Sequence, residues 1–303
     1  MDYLSLLERC EICPRRCGVN RLKGEKGFCR VSNDVVVAYY GKHFGEEPPI
    51  SGERGSGAIF FSSCNLRCVF CQNYQISNYM LGKTISLDDL VEIFFQMEKA
   101  GAHNINLVSP TPYIPHIAVA IRKAKEKGIK IPFVYNTNAY ERSEILSLLE
   151  GLVDIYLPDF KYWNKEIAKK LSSANDYPKH AIDSILEMKR QVGSTLITES
   201  GIGKKGLIIR LLVLPNGVSG TKSVLRWIRE EIGTSVSISL MSQYRPLFRA
   251  HEFPMIRRTL SEEEYDEVIR YASSLGFENV YVQEIDSSGM YLPDFTKEEP
   301  FKF

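Results

Sequence analysis

At 303 residues, with 44% hydrophobic and 25% charged residues, the chain has the composition of a globular protein able to bury a large core. Its 38 basic and 37 acidic residues leave a net charge of +1, which argues against a dedicated nucleic-acid surface, since such surfaces carry a clear basic excess. The first ten residues are interrupted by acids and no stretch reaches about 18 uninterrupted apolar residues, so the pattern predicts a cytoplasmic protein with neither signal peptide nor membrane span.

All seven cysteines fall within the first 71 residues, a crowding that suits two metal sites better than a disulfide framework. The first group, Cys10, Cys13, Cys17 and Cys29, has Pro14, Gly18, Gly24 and Gly27 interspersed, which allow tight turns. Four soft ligands make a closed site, and both tetrahedral zinc and an auxiliary iron–sulfur cluster fit the donor set. Arg9, Arg15, Arg16, Arg21, Lys23, Lys26 and Arg30 make the same stretch basic. That charge serves either as a solvated face or as a contact for phosphate or an acidic partner. The expected organisation is a small cysteine-rich metal-binding segment over 1–50 and a larger domain over 51–303.

Ala58 to Ser62 reads as a first strand, and directly after it comes Ser63-Cys64-Asn65-Leu66-Arg67-Cys68-Val69-Phe70-Cys71-Gln72-Asn73. The CxxxCxxC spacing offers three thiolates to a centre that wants four ligands. A cluster so held keeps one iron open to bind and transform a small molecule, the logic that separates catalytic from structural metal sites. Half of a zinc knuckle is the plainer alternative, but no fourth ligand follows nearby.

Beyond the cysteines the chain alternates helical and apolar segments. Ser86 can cap a helix whose apolar positions Leu90, Ile93, Phe94 and Met97 recur at helical spacing. Strands are expected at 104–108, 131–135, 153–157, 207–214 and 236–241, with a weaker one at 280–283. The rhythm predicts an α/β fold, a partial (open) parallel β/α barrel of about six βα units. Polar residues gather past the strand ends at Ser109-Pro110-Thr111, Asn136-Thr137-Asn138, Asp159-Phe160-Lys161, Pro215-Asn216 and Ser242-Gln243-Tyr244, the edge where parallel α/β folds place their sites. Each cluster also reads as ordinary loop chemistry. Arg210, flanked by Ile208, Ile209, Leu211 and Leu212, needs a charge partner if it points inward, and Asp159 or a ligand carboxylate could supply it. The five histidines show no metal-ligand spacing.

The cysteine run, with aromatic Phe70 before its last cysteine, resembles the radical SAM superfamily. The resemblance implies a four-iron four-sulfur cluster on Cys64, Cys68 and Cys71 and S-adenosylmethionine (SAM) on the open iron. It further implies reductive cleavage of SAM to a 5'-deoxyadenosyl radical that abstracts hydrogen from a substrate. Phe70 would then lie near the adenine, and Asn136, Asn138, Asp159 and Arg210 become cofactor-binding candidates. The family's Gly-Gly-Glu motif after the second strand is replaced here by Val108-Ser109-Pro110-Thr111, which makes Ser109 and Thr111 candidate substitutes. The stretches Cys13–Arg21, Gly45–Gly52, Cys71–Tyr74, Asn104–Val108, Val134–Thr137, Tyr156–Lys161 and Met241–Tyr244 are similar to the pyruvate formate-lyase activating enzyme-like group. That likeness implies a reduced flavodoxin or ferredoxin as electron donor and a protein substrate such as a glycyl radical enzyme. A small metabolite or an RNA base is the second expectation, and a non-SAM iron–sulfur protein of electron transfer or sensing is the rival from another class.

Overall fold

The computed structural model describes residues 2–285 and 292–302. Ten strands form one sheet: β1 Val35–His43, β2 Ser56–Phe61, β3 Lys83–Ile85, β4 Ile105–Val108, β5 Phe133–Thr137, β6 Ile155–Pro158, β7 Ile197–Glu199, β8 Ile202–Leu212, β9 Ser237–Met241 and β10 Asn279–Val282. Their order is β10-β9-β8-β6-β5-β4-β2-β1-β3, with β7 paired to β8 off this path. From β2 to β10 every neighbouring pair is parallel. β1 joins β2, β3 joins β1 and β7 joins β8 antiparallel. Among the described residues the two ends of the path are not paired, so the barrel is open, as the alternating pattern predicts. The expected parallel strands are β2, β4, β5, β6, β8, β9 and β10.

The antiparallel β1, β3 and β7 escape sequence reading. β3 and β7 are only three residues long, and β1 is a nine-residue Val and Tyr stretch within a segment read for its cysteines. The expected division at residue 50 falls between β1 and β2, which are hydrogen-bonded neighbours.

Helices cover the outer face. The helix Leu87–Lys99 starts at a capping box in which Ser86 and Asp89 satisfy each other's backbone donors, and it buries Leu90, Val91, Ile93, Phe94 and Met97. Strand alternation sorts the rest. Tyr135, Tyr156, Leu207, Ile209 and Leu211 pack outward in the main core, while Val134, Ile155, Leu157 and Ile208 form a separate interior cluster with Ile50. Ile50 belongs to the short helix Pro48–Ser51, so the segment Gly45–Gly52 plugs the barrel toward the amino ends of β5 and β6. Gly52 permits this, since its φ is +46° and a Cβ there would meet Ile202 and His103 at 2.4 and 2.7 Å. Among the described residues no helix is long and apolar enough to cross a membrane.

Candidate active site

Register sets a stepped row of residues along the carboxyl edge of the sheet: Phe60, Val108 and Asn136 are level, the Asp159–Arg210 bridge lies two residues further along, since Asn136 faces Leu157, and the Leu212–Met241 pair two further again. Above this row lies a cleft of about 1130 Å³, open mouth included, walled by Cys64, Cys68, Cys71, Phe70, Ser109, Asn136, Asn138, Asp159, Lys161 and Arg210 among others. The three cysteines are free thiols, and each sulfur accepts a hydrogen bond. Asn138 Nδ2 at 3.3 Å and the Leu66 N–H at 3.4 Å reach Cys64, Ser172 Oγ at 2.9 Å reaches Cys68, and Ser77 Oγ at 3.2 Å reaches Cys71. Burial pushes the Cys71 thiol up to about 12, aided by the nearby Cys68 and opposed by the Ser77 hydrogen bond. Burial likewise raises Cys68, against the pull of Lys161.

The loops around the cleft carry backbone strain. Ser63, Arg67, Ser109 and Ala139 all have φ between +58° and +83° without being glycine, a conformation that costs about 1 kcal/mol or more per residue and clusters at functional sites. Ser63 and Arg67 belong to the cysteine run, and Ser109 and Ala139 follow β4 and β5. The strain bends these loops over the strand ends.

Arg210 points into the barrel. Its Nε donates to Asp159 Oδ1 at 2.7 Å, Nη1 to Glu46 Oε2 at 3.0 Å and Nη2 to Asn136 Oδ1 at 2.7 Å. Lys161 Nζ holds the other Asp159 oxygen at 2.7 Å. Burial alone would raise Asp159, but Arg210 and Lys161 outweigh it and hold the carboxyl below its usual range. Burial would lower Lys161 in turn, but Asp159 and Cys68 hold it above its ordinary value. Glu46 Oε1 accepts from Asn106 Nδ2 at 2.8 Å and from Asn136 Nδ2 at 3.2 Å. Glu47 is 8% exposed, and burial raises its carboxyl against the opposing charge of Arg210. Its Oε2 has no hydrogen-bond partner among the described residues.

A second cavity adjoins the first and shares Gln72, Asn73, Val108, Asn136, Arg210, Met241 and Gln243 with it. Its own wall includes His43, Glu46, Glu47, Phe60, Tyr281 and Phe301.

Among the expected site residues, Phe70, Ser109, Asn136, Asn138, Asp159 and Arg210 face the first cavity. Phe70 sits edge-on to Tyr162 and Tyr244. Thr111 does not belong to this wall. It lies in a 3-10 turn and donates to the buried Glu141 at 2.6 Å, because the turn after Ser109 carries its side chain back beneath the edge. Cys10 is buried, Cys13 and Cys29 are half-buried and Cys17 is exposed, in a lobe beside the cleft. Sequence reading overlooks the sulfur-bonding Ser77 and Ser172, and Glu141. It also gives no role to Glu46 and Glu47, although the Gly45–Gly52 stretch contains both. Two adjacent acids before a Pro-Pro pair are the signal that could have drawn attention to them.

The sequence model of the radical SAM superfamily matches residues 58–202. An uncharacterised protein, MJ0674, of Methanocaldococcus jannaschii is 34% identical over 284 residues, covering 91% of this chain and 78% of that protein. A second protein of the same organism, MJ0808, also uncharacterised, is 23% identical over 266 residues, covering 81% and 73%. Among solved structures, the FeFe-hydrogenase maturase HydG of Carboxydothermus hydrogenoformans shares the fold at a TM-score of 0.51 and 11% identity, over 73% of this chain. The chain spans about half the length of that maturase. The chain belongs to the radical SAM superfamily. Membership carries with it a four-iron four-sulfur cluster and SAM. The donor set fits them: three free thiols, each with a hydrogen-bond donor at its sulfur, line one wall of an open cleft at the strand ends.

Proposed function

We propose that this radical SAM enzyme abstracts hydrogen from a nitrogen-bearing substrate seated in the second cavity. Cys64, Cys68 and Cys71 are the residues that would hold the cluster, leaving one iron for SAM. When bound, cluster and SAM together supply a 5'-deoxyadenosyl radical upon one-electron reduction, and the protein supplies binding, orientation and exclusion of water. Asn138, Ser172 and Ser77 orient the sulfurs and stabilise negative charge on them. Asn136, Asp159 and Arg210 are already engaged with one another, so they form a rigid floor between the two cavities. Ser109, Asn138 and Lys161 are the cleft residues offered to the polar parts of SAM. A reduced flavodoxin or ferredoxin is the electron donor in this reading.

The observation that carries the substrate class is Glu47, a buried carboxyl in the wall of the second cavity with one oxygen unpartnered among the described residues. An unmet buried acceptor is costly, and a substrate ammonium or N–H group removes that cost on binding. Burial also pushes His43 down to about 4, so this neighbouring ring is neutral and does not compete with a cation.

The test is to reconstitute the protein with iron and sulfide under anaerobic conditions, reduce it, add SAM and follow 5'-deoxyadenosine. Dialysable and retained fractions of a cell extract are then added separately. Stimulation by the dialysable fraction that disappears in Glu47→Ala supports the reading. Stimulation by the retained fraction alone transfers it to a protein substrate, such as a glycyl radical enzyme. That second reading draws on the exposed Tyr79 and Arg249 beside the cysteine loop. Absence of 5'-deoxyadenosine in a protein that holds its iron would leave electron transfer or sensing.

A further inference from the structure

We infer that Glu141 is a positioning residue for the cluster: buried outside the cleft wall, it locks the loop whose Asn138 donates to Cys64. The inference rests on the reading of Cys64 as a cluster ligand oriented by Asn138. Glu141 is fully buried, and its Oε1 collects three hydroxyls, from Thr137 at 2.5 Å, Thr111 at 2.6 Å and Tyr135 at 3.1 Å. Tyr135 and Thr137 belong to β5, and Thr111 lies in the turn after β4. One oxygen atom therefore ties together the ends of two paired strands. The other, Oε2, has no hydrogen-bond partner among the described residues. A half-satisfied buried carboxyl is costly, and a position that needed only bulk would be filled more stably by an apolar side chain.

The loop from Thr137 to Glu141 shows what that carboxyl fixes. Glu141 reaches back four residues to Thr137, whose Oγ1 also accepts the Ala139 N–H at 3.3 Å. Ala139 is held at a φ of +60°, a conformation that a non-glycine residue keeps only where its surroundings enforce it. In the turn so closed, the Tyr140 N–H donates to Asn138 Oδ1 at 2.9 Å. That bond decides which end of the Asn138 amide faces the cysteines, because Oδ1 only accepts and Nδ2 only donates. Nδ2 is left to reach Cys64 Sγ at 3.3 Å and Asn65 Oδ1 at 2.8 Å. Asn65 Nδ2 in turn donates to the Tyr140 carbonyl at 2.6 Å, so the cysteine loop is tied to the same turn twice over.

The contacts run from Glu141 through Thr137 and the turn at 138–140 to one sulfur. Truncating Glu141 releases Thr137, loosens the turn and takes the Asn138 donor away from Cys64. A donor at sulfur favours the more negatively charged reduced state, so its loss moves the cluster's reduction midpoint to more negative potential. Glutamine keeps an acceptor oxygen for the three hydroxyls while removing any carboxylate charge. The pair Glu141→Ala and Glu141→Gln therefore separates geometry from charge.

The experiment uses the full chain, reconstituted anaerobically with iron and sulfide, beside Glu141→Ala, Glu141→Gln, Asn138→Ala and the Glu141→Ala, Asn138→Ala double variant. Reduction midpoints are taken from titrations followed by electron paramagnetic resonance. The inference expects Asn138→Ala and Glu141→Ala to shift the midpoint in the same negative direction, and the double variant to shift no further than Asn138→Ala alone, since both act on one contact. Glu141→Gln is expected to stay at the value of the intact chain. A Glu141→Ala midpoint that does not move while Asn138→Ala does, additive shifts in the double variant, or a shift shared by Glu141→Gln overturns the inference. No shift in Asn138→Ala overturns the reading of Asn138 as a sulfur donor and the inference with it. Should Glu141→Ala fail to fold, Thr137→Val replaces it, removing one hydroxyl at nearly constant shape. The same negative shift is expected there, and an unmoved midpoint overturns the inference.

Discussion

The two cysteine groups are built in opposite ways. Cys10, Cys13, Cys17 and Cys29 are gathered by turns within their own segment, with backbone bonds such as Gly18 to Cys10 and a glycine packed on Cys17. Cys64, Cys68 and Cys71 sit on a strained loop, and two of their sulfur contacts, Asn138 and Ser172, lie 74 and 104 residues away in sequence. The first group is held together by local structure. The second is open on one side because the barrel, not the loop, completes it. A catalytic centre needs that dependence, since the groups that position its reactants come from several strand ends at once.

The sharpest way to break the comparison is to remove a loop ligand. Cys71→Ala is expected to abolish 5'-deoxyadenosine formation outright, whereas Cys17→Ser, in the outer lobe, leaves a measurable rate; equal loss in both would erase the distinction. Next in size is the buried charge floor. Arg210→Met strips Asp159 and Glu46 of their shared partner, and removal of one member of a buried ion network costs about 3–5 kcal/mol. Urea unfolding should show this, with Arg190→Met at the exposed Arg190–Glu150 pair as a control that changes stability by less than about 1 kcal/mol.

Glu141 gives a pH-dependent contrast. Burial raises its carboxyl to about 7, against hydrogen bonds from Thr111, Thr137 and Tyr135. A carboxyl that binds its proton more tightly when folded adds stability fully present below the unfolded value of 4.5 and lost as pH rises through about 7. The difference amounts to something on the order of 3 kcal/mol. Unfolding midpoints measured between these pH values should fall for the intact protein and run flatter for Glu141→Gln. The smallest expected effect belongs to the sulfur donors. Ser172→Ala removes the hydrogen bond to the Cys68 sulfur and the one shared with the Tyr162 hydroxyl, each worth about 1 kcal/mol. It should move the cluster's reduction midpoint to more negative potential, because a donor at sulfur favours the more negatively charged reduced state. A redox titration with no shift would mean that the Ser172 contact has no electrostatic role.

Much of this was legible in the amino-acid sequence because it depends on short-range pattern. The CxxxCxxC run, the apolar strand segments and the capped helix from Ser86 are local signals, and they specified the fold class and the placement of the cysteine loop after β2. Asn136, Asn138 and Asp159 drew attention because they follow strands, and parallel strands put their carboxyl ends on one edge, where all three line the cleft. Thr111 was misplaced by the same rule, since proximity in sequence to Ser109 does not fix which way a turn throws a side chain. The inward direction of Arg210, the meeting of Glu46 with Asn106 and Asn136, and the serine and asparagine donors to sulfur were decided only in the tertiary structure. Strand register and barrel curvature set those contacts between residues far apart in the chain, and no local periodicity encodes them. The sequence by itself determined the chemistry that is available; the folded barrel decided which groups meet, and left Glu47 with an oxygen unpartnered among the described residues.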